Sequence, residues 1–102
     1  MHELSHASQQ DEALRRSRLD DHARAVIHAI AQDLNDVKPW QPLPAGIWHD
    51  EPFVIAARIH GRGPYTDQVA EASQALMPRI DRDITRGEYA QILFRAAGKV
   101  HA

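Results

Sequence analysis

From Leu19 the apolar positions step by three and four residues through Ala23, Val26, Ile27, Ile30, Leu34 and Val37. That spacing puts them on one stripe of an amphipathic helix and predicts a long N-terminal helix. Ser8 is placed to cap it, with Asp11 and Glu12 in a first turn where carboxylates meet the positive end of the macrodipole. Leu14 falls off the stripe, so the first turns are expected to be exposed, and residues 1–8, polar and aperiodic, read as a flexible tail. Pro39 ends the helix, because the residue before a proline avoids the α region.

Lys38-Pro39-Trp40-Gln41-Pro42-Leu43-Pro44 then reads as an extended, polyproline-like connector. The pattern changes period at Phe53. Phe53, Ile55, Ala57 and Ile59 alternate with Val54, Ala56, Arg58 and His60, and a period of two predicts a strand. Turn-forming residues bound the run on both sides, Asp50-Glu51-Pro52 before it and Gly61-Arg62-Gly63-Pro64 after it. Gly46-Ile47-Trp48-His49 is a short candidate partner strand, so a central antiparallel β-hairpin is expected across Asp50–Pro52.

Helical spacing returns at Val69, Ala72, Leu76 and Ile80, with Met77 a further candidate for the buried side, Thr66 the expected cap and Pro78 predicting a kink or an early end. Thr85-Arg86-Gly87-Glu88 has the capping-box form, and Tyr89, Ile92, Leu93, Ala96, Ala97 and Val100 follow at helical steps. Phe94 lies outside that stripe, so a third strand over Glu88–Arg95 is the alternative to a helix there. The expected fold is one α+β domain over residues 9–102: a long N-terminal helix, a central hairpin and one or two C-terminal helices.

Composition narrows the functional classes. With 43% hydrophobic and 25% charged residues in 102, the chain is an ordinary globular sequence of single-domain size. It has no cysteine, which removes disulfides, thiolate zinc sites and cysteine nucleophiles. A formal net charge of −2 argues against a nucleic-acid binder working by bulk electrostatics. No segment is long and apolar enough to span a membrane, and the first residues do not read as a signal peptide, so the cytoplasm is the expected location.

Candidate chemistry is sparse. His2-Glu3-Leu4-Ser5-His6 resembles the H-E-x-x-H motif of zinc metalloproteases, in which two histidines one helical turn apart hold zinc and the glutamate serves as base. The resemblance implies a zinc-dependent hydrolase with Glu12, Asp20 or His22 as third ligand, but Gln9 and Glu12 stand where the extended motif has glycine and histidine. His49 and His60 are placed to face each other across the hairpin as a pH-sensitive pair. Asp81-Arg82-Asp83-Ile84-Thr85 opens like a calcium loop, but Ile92 occupies the position of the bidentate glutamate, so calcium is not expected. Gly61-Arg62-Gly63-Pro64 reads as a plain turn, and no glycine-flanked nucleophile is present.

From Arg58 to Val100 the succession of strand, helix, turn and capped helix resembles the ribbon-helix-helix DNA-binding family. That resemblance implies a dimeric ribbon reading DNA through Val54, Ala56 and Arg58, with Thr85 and Arg86 on a phosphate. In length and in its Ala/Arg/Asp/His-rich, Cys-free composition the chain resembles a group of short proteins of Burkholderia-type bacteria, which implies no activity and transfers no residues. Trp40 and Trp48 flank Pro42-Leu43-Pro44-Ala45-Gly46, where aromatic side chains serve either to seal the core or to anchor a partner. The expectation that follows is a non-enzymatic protein-interaction or accessory module, monomeric or weakly dimeric, without metal or cofactor. Its candidate binding residues are Trp40, Trp48 and Arg58.

Overall fold

The computed structural model describes residues 2–44 and 46–99, with side chains from 12 onward except at 47 and 99. The described residues form four α-helices: α1 (His2–Asp36), α2 (Ile47–His60), α3 (Pro64–Leu76) and α4 (Arg86–Lys99). Extended pairing among them is limited to one antiparallel bridge between Pro42 and Thr85. The expected α+β fold is therefore overturned, and the regular structure of the described residues is all-helical.

The correction centres on Phe53–His60, which is the body of α2 and not a strand of a hairpin. A contiguous apolar run fits a period of two and a period of 3.6 equally well, and only its length arbitrates. Here the segments read as strand, turn and strand are one continuous helix of 14 residues. Within it Pro52, Ile55 and Ala56 are buried, at the three-and-four spacing of a helix face. Asp50, read as a turn residue, sits in the first turn of α2, where its charge complements the positive helix end. Gly61 closes the helix at φ 78°, a positive angle that suits glycine, and its N–H donates to the Ala57 carbonyl at 2.9 Å. The third-strand alternative over Glu88–Arg95 falls as well, since those residues lie within α4.

The long N-terminal helix is present and carries the expected stripe. Ala23, Val26, Ile27, Ile30, Ala31 and Leu34 are buried, while Val37, just past the helix end, is exposed. Residues 12–18 are exposed throughout, consistent with a stripe that begins at Leu19. Helix α4 lies along α1, α2 lies on α3, and α3 joins the two pairs by packing on α1. Helix α3 starts at Pro64 rather than at a Thr66 cap, and it ends at Leu76, before Pro78. Its buried face is Thr66, Val69, Ala70 and Ser73, rotated from the expected Val69–Ala72–Leu76 stripe, and Leu76 is exposed. Burial of the Ser73 hydroxyl is tolerated because it donates to the carbonyls of Val69, at 2.7 Å, and Ala23, at 3.3 Å.

The α4 start forms as its sequence dictates. Glu88 N–H donates to Thr85 Oγ1 and Thr85 N–H donates to Glu88 Oε1, each at 3.1 Å, a reciprocal capping box. Tyr89, Ala90, Leu93 and Ala97 then face the core, with Ile92 and Phe94 packed at its edge.

Candidate functional site

The connector between α1 and α2 is short of regular structure and rich in hydrogen bonds. Gln41 N–H donates to the Lys38 carbonyl at 3.0 Å, closing a turn with Pro39 and Trp40 as its central residues. Proline in the second position of a turn fixes its backbone angle before folding. Lys38 enters the turn with φ 45°, a conformation that costs a residue with a side chain about 1–2 kcal/mol.

Three backbone bonds tie this turn to the segment that begins α4. Gly87 N–H donates to Pro39 O at 2.8 Å, Arg86 N–H to Gln41 O at 2.9 Å and Leu43 N–H to Ile84 O at 3.0 Å. The Arg86 side chain ties the same segment to the end of α1, Nε donating to the Val37 carbonyl at 2.9 Å and Nη2 to Asp33 at 3.1 Å. Gly87 suits this close approach: a Cβ there would lie 3.1 Å from the Pro39 Cβ and 3.2 Å from the Pro39 carbonyl oxygen, tight contacts to which the turn would have to yield slightly.

Trp40 stands at the apex of this pinned turn, 73% exposed. Among the large hydrophobic side chains described as exposed it is the most so. Trp48 is placed differently. It sits in the first turn of α2, half-buried against the core, with the Arg79 guanidinium 4.9 Å from its ring centroid and His49 edge-on at 5.3 Å. Arg58 is exposed near the other end of α2. Ten residues of helix, about 15 Å of rise, separate it from Trp48. The structure thus divides the three candidate residues among an exposed turn, a packed helix start and a distant helix end.

The histidine pair is also redrawn. His49 and His60 lie on the same helix, and His49 is held by Gln74, whose Nε2 donates to the His49 carbonyl at 2.7 Å. His60 instead meets His22 of α1, with ring centroids 4.7 Å apart, and Tyr65 of α3 at 6.0 Å. The Tyr65 hydroxyl and His22 Nδ1 share a hydrogen bond, and His60 Nε2 is buried without a partner among the described residues.

The remaining chemical readings lose their framework. Val54, Ala56 and Arg58 are helical, with Ala56 buried, so the reading face of a ribbon is not formed. The α3–loop–α4 unit has the helix–loop–helix outline of a calcium site. Counting Glu88 as its twelfth residue puts Met77 first, Arg79 third and Arg82 at the glycine position, and Glu88 is committed to the capping box. Among the described residues no three His, Asp or Glu side chains converge as a metal site. The side chains of His2, Glu3 and His6 lie outside the described residues. No helix among the described residues is long and apolar enough to cross a membrane.

Sequence reasoning singled out Trp40 through the prolines around it. It placed Arg86 and Gly87 in the capping box and missed their hold on the Trp40 turn from far along the chain; the proline turn was the one available signal. The chain matches no known protein family, and no curated protein or solved structure matches it.

Proposed function

We propose that this protein is a non-catalytic interaction module that engages a protein partner through Trp40. The observation that carries the reading is a tryptophan 73% exposed on a turn whose connector three backbone hydrogen bonds fix to the α4 start, which Arg86 in turn ties to the end of α1. Tryptophan is the residue type most enriched among the few side chains that dominate interface energies. A turn already ordered in the free protein loses little conformational entropy on binding, so more of the contact energy appears as affinity. Trp48, packed under Arg79 at the start of α2, is not itself the anchor.

The test is a comparison of the wild-type chain with Trp40→Ala, first in capture from cells and then with the captured partner purified. Trp40→Ala is expected to leave the stability within about 0.5 kcal/mol of wild type, as exposed positions do. It is expected to weaken partner binding at least tenfold, about 1.4 kcal/mol or more. Equal affinity of the two proteins for the same partner removes the proposal.

A further inference from the structure

Helix α2 is apolar on two sides. Pro52, Ile55 and Ala56 face the core, yet Phe53 and Val54 point outward and are 37% and 50% exposed. A helix that is apolar around most of its circumference is ordinarily covered around most of it. Beside the outward face runs a groove of about 490 Å³, with Phe53, Val54 and Ala57 on one wall and Arg62, Thr66 and Asp67 on the other.

The charges on this face are arranged about its centre. Asp50 and Arg58 are both exposed, and each lies four residues from Val54. Steps of four keep all three on one stripe of the helix. Neither charge has an ion-pair partner among the described residues. In a twofold-symmetric contact each residue meets the symmetry-related position of the same surface, so that surface must complement itself. If two α2 helices pack antiparallel about an axis at Val54, Val54 meets its own copy, and each Asp50 comes level with the other copy's Arg58. Two ion pairs then flank an apolar centre. At the usual 8–10 Å between packed helices, an arginine side chain spans the offset that remains. The groove repeats the same logic, with one cation and one anion, Arg62 and Asp67, on its outer wall.

We propose that the outward face of α2 is a homodimer interface. A second copy of this chain packs antiparallel on the Asp50–Val54–Arg58 stripe, and the Phe53 of each copy enters the groove of the other. The surface is distinct from the Trp40 turn, so either proposal stands without the other.

Sedimentation of the full chain over a concentration series tests it. The wild type is expected to move from a mass of 11.5 kDa towards twice that value as concentration rises. Asp50→Arg alone sets the introduced cation of each copy against the other copy's Arg58. Arg58→Asp alone sets the introduced anion of each copy against the other copy's Asp50. Each variant alone is therefore expected to weaken self-association by at least about tenfold, since like charges across an interface repel. An equimolar mixture of the two variants is expected to dimerise again, because one copy then carries two cations and the other two anions. Trp40→Ala is expected to dimerise as wild type does. Should either charge reversal lose helicity by circular dichroism, Asp50→Asn and Arg58→Gln take their place, and each is expected to weaken the dimer. A wild type that stays monomeric to its solubility limit overturns the proposal. So does a mixture of well-folded reversal variants that stays monomeric.

Discussion

Tyr89 shows how much one side chain of α4 settles. It is 1% exposed, and its hydroxyl donates to the Pro78 carbonyl at 2.8 Å, so the ring fills the core while its polar end closes the loop after α3. Burial pushes its phenol up from the ordinary value of 10.0 to about 12. The sign of the pH effect follows from which state ionises first. Below pH 10 the phenol is protonated in both folded and unfolded chains, and its contribution to stability is constant. Above that, the unfolded chain releases the proton while the folded chain keeps it until about pH 12. Stability is therefore expected to fall between those limits. In Tyr89→Phe that part of the alkaline loss is expected to disappear, together with the late phenolate absorbance. A wild-type spectrum in which every tyrosine ionises near pH 10 contradicts the assignment.

At the scale of elements, α2 carries the sharpest prediction because its two faces have similar side chains in opposite environments. Ile55 is 7% exposed within the core cluster, and Val54, its neighbour in sequence, is 50% exposed. Ile55→Ala is expected to cost about 2–4 kcal/mol from lost transfer energy and a cavity. Val54→Ala, measured where the chain is monomeric, is expected to stay within about 0.5 kcal/mol of wild type. Urea denaturation of the two variants checks this, and comparable losses would place α2 differently. The same helix marks where the sequence stops being legible. Helix α1 could be read because its three-and-four stripe from Leu19 to Leu34 outlasts any strand, and α4 because Thr85 and Glu88 form a local capping box. The apolar run of α2 satisfies both periods. Its proline and acidic residues look like a turn until Ile47–Pro52 is seen as the first turns of the same helix. Of the candidate site, Trp40 was visible from its flanking prolines. Its supports Arg86 and Gly87, and the meeting of His22, His60 and Tyr65, depend on contacts between residues far apart in the chain, which no local pattern encodes.

At the scale of the whole molecule, two helix–connector–helix halves close on each other where their connectors meet. Arg86 is the group that spans the junction: its backbone N–H reaches Gln41, its Nε the Val37 carbonyl and its Nη2 Asp33. These bonds differ in worth. The Asp33 carboxylate is 62% exposed, so that ion pair is screened and contributes less than about 1 kcal/mol. The guanidinium is 17% exposed, and its bond to the Val37 carbonyl satisfies a free acceptor just beyond the end of α1, a charged hydrogen bond worth about 1.5–3 kcal/mol. Arg86→Ala is therefore expected to destabilise the fold by about 2 kcal/mol, and Asp33→Asn by less than about 1 kcal/mol. The two variants should also separate in dynamics. Without Arg86 the turn loses its side-chain tether while the capping box of α4 stays intact, so amide exchange is expected to quicken at Gly87 and Leu43 but not at Glu88. The Trp40 indole, already exposed, is expected to keep its emission maximum and to lose fluorescence anisotropy as the turn loosens. If Arg86→Ala changes neither the exchange of those amides nor the anisotropy, the backbone bonds alone hold the turn, and the rigidity of the Trp40 surface belongs to Pro39 and Gly87.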